Sequence, residues 1–109
     1  MAVYQYIVLL SAAQGREEEF DSWYDSRHLA DVAAVPGVIS ARRFPIRFVE
    51  AENAPTWRSL AIYELETDGD PTEILGRIKQ RSGTDAMPVP DCVDKRGMVQ
   101  VIALDRSRR

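Results

Sequence analysis

The sequence is poor in the residues that most often announce a site or a compartment: it has one cysteine, one histidine and no long apolar run. Cys92 alone cannot close an internal disulfide, so nothing calls for an oxidising compartment, and a reduced cytoplasm is the expected setting. The N-terminal stretch Ala2 to Leu10 is apolar but falls far short of the roughly 20 residues that span a bilayer. It also lacks the basic flank and small-residue cleavage site of an export signal, and Glu17, Glu18 and Glu19 follow closely. Positive charge is in short supply: 14 Lys and Arg against 17 Asp and Glu leave a net charge of -3, which argues against membranes and nucleic acid as partners. The basic end Arg106-Ser107-Arg108-Arg109 reads as a solvated terminus. One histidine among scattered carboxylates does not make the set of three or more ligands that a metal centre needs, so no metal is expected. GxGxxG, Walker A, nucleophile-elbow and CxxC patterns are all missing, and no cofactor is expected.

What is present suits one globular domain over residues 1–109. Hydrophobic residues make up 45% and charged residues 28%, an ordinary soluble balance, and 109 residues suffice for one core but not for two. Val3 to Leu10 reads as a strand, rich in β-branched, aromatic and aliphatic residues and closed by a turn. Tyr4, Tyr6, Val8 and Leu10 share one side while Val3, Ile7 and Leu9 share the other, so both faces need cover. From Arg16 the spacing becomes helical, with Phe20, Trp23, Tyr24, Val32 and Val35 as an apolar stripe and Pro36-Gly37 as the stop. Val38 to Val49 is extended, with Val38, Phe44, Ile46 and Phe48 expected on one side, and Pro45 marks a bulge or an edge. Glu50 to Pro55 makes the hairpin loop and Trp57 to Glu66 the third strand. Asp70-Pro71-Thr72-Glu73 is a strong helix start, with the second helix ending near Ser82-Gly83. Thr84 to Lys95 reads as loop and Met98 to Leu104 as the last strand.

The order β-α-β-β-α-β predicts an α+β, ferredoxin-like domain: a four-stranded antiparallel sheet with two helices on one face. Those helices leave the second apolar face bare, and a twofold homodimer is the commonest way to bury it.

The densest cluster of usable side chains is Trp23-Tyr24-Asp25-Ser26-Arg27-His28-Leu29-Ala30-Asp31. His28 lies three residues from both Asp25 and Asp31 and four from Tyr24, so on a regular helix either carboxylate can reach the imidazole and raise its pKa. That suits a general acid or base, and it equally suits a helix-end histidine with a purely structural bond. Trp23 and Tyr24 line a pocket or fill the core; Tyr6 and Tyr63 aim hydroxyls into a cleft or are core tyrosines; Phe44 is a further candidate substrate contact. Arg42, Arg43 and Arg47 are read as guards of an edge strand, with anion binding as the alternative. Cys92, between Asp91 and Asp94, is expected to be unreactive.

Tyr6-Ile7-Val8-Leu9, Gly15-Arg16-Glu17-Glu18-Glu19-Phe20, Trp23-Tyr24-Asp25, His28-Leu29, Asp31-Val32 and Val35-Pro36-Gly37 together resemble the EthD-like branch of the dimeric α+β barrel proteins. Ala61-Ile62-Tyr63-Glu64-Leu65, Gly83-Thr84 and Met87-Pro88 extend the resemblance over nearly the whole chain, with Ala30 standing where the pattern often has proline. The resemblance implies a homodimer whose two sheets face each other, a hydrophobic cleft between sheet and helices, and His28 as the histidine in that cleft. Proteins of this fold include muconolactone-type isomerases, polyketide cyclases and cofactor-free monooxygenases. Three functions are thereby expected in turn: a cofactor-free lyase or isomerase with His28 as acid or base, Asp25 or Asp31 orienting it and Tyr63 or Tyr6 facing an oxyanion; a non-catalytic dimer that binds a small hydrophobic ligand; and a cofactor-free monooxygenase.

Overall fold

β-Branched, aromatic and aliphatic residues dominate Ala2–Ala12 (β1), and this strand becomes the spine of the sheet, with antiparallel neighbours on both sides. The computed structural model describes residues 1–52 and 57–108. After β1 come a helical stretch in three pieces, Glu17–Trp23 (α1), a π-turn at Tyr24–His28 and Leu29–Ala33 (α2), then Val38–Pro45 (β2), Ser59–Thr67 (β3), Thr72–Arg81 (α3) and Val93–Leu104 (β4). The strand order is β2-β3-β1-β4, all antiparallel, which is the ferredoxin-like arrangement that the sequence pattern predicts. Residues 53–55 of the expected hairpin loop lie outside the described residues. Among the described residues, no helix is long and apolar enough to cross a membrane.

Alternation divides the sheet cleanly. Tyr6, Val8 and Leu10 of β1 and Ala61, Tyr63 and Leu65 of β3 are buried, packed with Phe20, Tyr24, Val32, Ile74 and Ile78 from the helices. At about 1.5–3 kcal/mol for each fully buried large apolar side chain, this layer is the main source of stability. The intervening residues face the other way: Ile7 pairs with Ile62 and Val101, and Leu9 with Leu60 and Val99. Val101 is 46% exposed and Phe44 38%. That second face is apolar and uncovered.

Two starts and stops behave as their residues dictate. The N–H of Thr72 donates to Asp70 Oδ1 at 2.9 Å, so Asp70 closes the first turn of α3 from its side chain. Gly37 turns the chain from α2 into β2 at φ 102°, and a Cβ there would lie 2.6 Å from Ile74 Cδ1, so both conformation and space require glycine.

Two strands depart from the sequence reading. In β2 the register steps from the Val38–Leu65 pair to the Ser40–Glu64 pair, a bulge at Ile39. The extra residue reverses the alternation, so Val38 is buried on the helix side while Phe44 falls on the bare face. Phe44 is therefore not beside the helices, and its expected role as a substrate contact within this chain is corrected. In β4 pairing begins at Val93, not Met98: Ser11–Asp94 and Leu9–Val99 are successive pairs, and residues 95–98 loop out between them. Gly97 permits that loop with φ 72°.

Candidate functional site

The helix between β1 and β2 cannot stay regular through Tyr24–His28. There the N–H of Leu29 donates to the carbonyl of Tyr24, five residues back, and the wider turn changes the phase of every side chain after it. His28 is delivered onto the aromatic face of the helix: its ring stacks on Trp23 at 4.4 Å between centroids and meets Tyr24 edge-on at 5.1 Å. Trp23 is fixed in turn by its Nε1–H, which donates to the Pro88 carbonyl at 3.0 Å.

These residues form one wall of a cleft of about 260 Å³ between sheet and helices. The sheet supplies Tyr6, Val8, Leu10 and Tyr63, the helical layer Trp23, Tyr24, His28, Val32 and Ile78, and the segment after α3 adds Met87. The structure thus brings Tyr6, Trp23, Tyr24, His28 and Tyr63 to one place. Their hydroxyls are linked: Tyr24 and Tyr63 share a hydrogen bond at 3.2 Å, and Tyr6 donates to Gln100 Oε1 at 2.5 Å. Burial pushes the Tyr6 hydroxyl up to about 12 and raises Tyr24 and Tyr63 as well, so all three are neutral donors at physiological pH.

The two carboxylates do not bond the imidazole. Both oxygens of Asp25 accept from Arg43, at 2.8 and 3.0 Å, and Asp31 accepts from Arg27 at 2.9 Å. A guanidinium fork matches a carboxylate better than one ring nitrogen does, and the π-turn removes the regular spacing that would have paired Asp25 with His28. His28 Nδ1 is buried with no hydrogen-bond partner. Loss of hydration outweighs the residual pull of Asp31, the nearby Lys95 opposes protonation further, and the His28 pKa is lowered to about 4. The expected upward shift is therefore reversed. Arg43, read as an edge guard, instead ties β2 to the helix through Asp21 and Asp25, with its guanidinium 5.3 Å from the Tyr24 ring centroid.

Sequence reasoning missed Gln100, Lys79, Lys95, Met87 and Met98, all of which line the cleft. Gln100 and Met98 lie within the expected last strand, but which of its faces looks toward the helices is set by its pairing with β1, where Val8 stands opposite Gln100 and Tyr6 opposite Ile102. Lys79 follows Ile78 in the last turn of α3, where a lysine is ordinary. Among the described residues, no three His, Cys, Asp or Glu side chains are grouped so as to hold a metal ion.

A solved structure from Shewanella loihica PV-4, described provisionally as a monooxygenase, superimposes with a TM-score of 0.55 over 100% of this chain and 98% of that one, at 14% identity. The two chains share a fold. An EthD family protein from Bacillus halodurans C-125 is also among the similar structures, with a TM-score of 0.47, 12% identity and coverage of 94% of this chain and 97% of that one. No family model matches the chain, and no curated protein matches it in sequence. At these identities the likeness is one of fold, and the chemistry has to be argued from the cleft itself.

Proposed function

We propose that this chain is a homodimeric enzyme that moves a proton on a small apolar molecule held in the cleft, in the manner of a lyase or isomerase, with His28 as the proton acceptor. The observation that carries the reading is an imidazole lining an apolar cleft, neutral at physiological pH and bonded to no carboxylate. Because Nδ1 is enclosed, Nε2 is the nitrogen left for a ligand. The proton would pass from an acidic C–H or O–H of the substrate to Nε2, and the imidazolium so formed would be steadied by Asp31 through space. Tyr63 and Tyr6 stay protonated, so on giving up their bonds to Tyr24 and Gln100 they can donate to an oxygen on which negative charge develops. Asp25 is a positioning residue, acting through Arg43 on the ring of Tyr24, while Trp23 and Tyr24 give the substrate a flat aromatic wall. Phe44, on the opposite face, takes no part in this cleft. The free, buried thiol of Cys92 supports a reducing, cytoplasmic setting.

The same nitrogen favours a second reading. A general base is usually oriented by a partner on its other nitrogen, and His28 has none, which suits a dimer that binds an apolar ligand without reacting it. A third outcome follows if the deprotonated ligand is an electron-rich phenol that goes on to meet oxygen, the chemistry suggested by the description of the Shewanella protein.

One assay separates them. Enolisable aromatic and lactone compounds are incubated with the protein in heavy water, and loss of the acidic C–H signal is followed by NMR with dissolved oxygen monitored in parallel. Exchange that falls about 100-fold or more in His28→Ala supports proton transfer by this residue. Exchange that persists in the variant rejects it. Binding without exchange supports the carrier, and oxygen uptake with a phenol supports the monooxygenase.

A further inference from the structure

The charge around the cleft has one sign. Lys79 and Lys95 are among its lining residues, and no Asp or Glu is. Six arginines, Arg16, Arg27, Arg43, Arg58, Arg96 and Arg108, each pair with a carboxylate, and Arg77 and Arg81 donate to backbone carbonyls, so much of the negative charge is already matched. Neither cleft lysine has such a partner among the described residues. Asp94, next to Lys95 in sequence, and Asp31, near His28, are already occupied by Arg96 and Arg27.

Lys95 is also held in place. It sits in the looped-out part of β4, where the Arg96 N–H donates to Asp94 Oδ1 at 3.0 Å and Trp57 Nε1 donates to the Gly97 carbonyl at 2.8 Å. Both ends of the loop are thus anchored, and the ammonium lies close enough to His28 to disfavour a second positive charge there. Beneath it the lining is Val8, Val32, Ile78 and Met87, while the tyrosine hydroxyls and Gln100 already bond one another. Besides the unpartnered Nδ1 of His28, what the cleft leaves unmatched is the positive charge of the two lysines.

We infer that the ligand of the cleft is a small apolar molecule bearing one anionic oxygen group, with the anion held by the Lys95 ammonium, Lys79 adding to the field, and the body resting on the apolar floor beside His28. The inference rests on the cleft being the ligand site and specifies what enters it. An exposed ammonium over a low-dielectric floor attracts an anion before contact and fixes its orientation after it, which selects a charged ligand over a neutral one of the same shape.

The test compares naphthalene-1-carboxylate with naphthalene-1-carboxamide, which match in shape and differ in charge. Binding is titrated while the ring signals of His28, the only histidine, are followed by NMR. The carboxylate is expected to bind about tenfold or more tightly than the amide. Lys95→Met should abolish most of that difference while the amide still moves the His28 signals, which also shows that the variant folds; Lys79→Met should remove a smaller part. A further titration with 4-nitrophenolate at about pH 8.5 separates a phenolate preference from a carboxylate one. If both naphthalene probes move the His28 signals with equal affinity, the cleft stands as a ligand site and the anionic ligand is overturned; if the preference survives Lys95→Met, the assignment of the anion to Lys95 is overturned. If neither probe moves them, the cleft reading fails and this inference fails with it.

Discussion

At His28 the loss of hydration outweighs a nearby carboxylate, and the ring is neutral with a pKa of about 4 against 6.5 in the unfolded chain. Between those two values the unfolded state binds more protons, so stability is fully present above pH 6.5 and drains away as the pH falls toward about 4. The loss amounts to at most about 3 kcal/mol. Urea unfolding of the native chain and of His28→Gln across this window should show the difference between them shrinking toward low pH; a constant difference would mean that the ring titrates as in water. The same pKa bears on rate. A reaction that needs the free base should hold its rate down to about pH 4 and fall below it, and a rate that instead rises on acidification would identify imidazolium as the active form. At Gly37 two penalties coincide, the left-handed backbone and the side chain of Ile74. Gly37→Ala should cost about 2 kcal/mol or more, read as a lower denaturation midpoint with unchanged slope.

Elements were legible where local chemistry agreed with the fold. Asp70 before Pro71 gave the start of α3, and its bond to Thr72 is the reason; Asp70→Ala should lower the thermal unfolding midpoint by removing that bond. The alternation of β1 and β3 gave two apolar faces, and the structure keeps them. The aromatic cluster around His28 was legible as a cluster, because Trp23, Tyr24 and His28 are neighbours in the chain. Its electrostatics were not, since regular helical spacing pairs His28 with Asp25 and the π-turn breaks that spacing. Phe44 was misplaced for a related reason: one extra residue at Ile39 reverses a two-residue period, and isoleucine gives no warning of a bulge. β4 was cut short because Asp94, Lys95, Arg96 and Gly97 have loop composition, and they do loop out, but the strand has already begun before them. The ion pair of Arg43 with Asp25 joins residues far apart in sequence, and nothing local could announce it.

The whole molecule has a covered sheet face and a bare one. Ile7, Leu9, Leu60, Ile62, Val99 and Val101 lie on the bare side, with Phe44 at its edge, and a second copy of the chain would bury them. Size-exclusion chromatography with light scattering should give a dimer, and Val101→Glu, which buries a charge in that contact, should shift it to monomer at low micromolar concentration. A native chain that stays monomeric at high concentration would refute the dimer.

Cleft and bare face are written on the same strands, one residue out of step: Tyr6 and Val8 look into the cleft, Ile7 and Leu9 away from it. A single codon inserted within β1 would therefore turn the rest of that strand inside out, exchanging cleft wall for bare face at one stroke. Length can be edited safely only where the ladder already carries odd residues, at Ile39 and in the loop around Lys95. The second of these borders the cleft, so insertions there offer a route to altered ligand choice that leaves the sheet frame untouched.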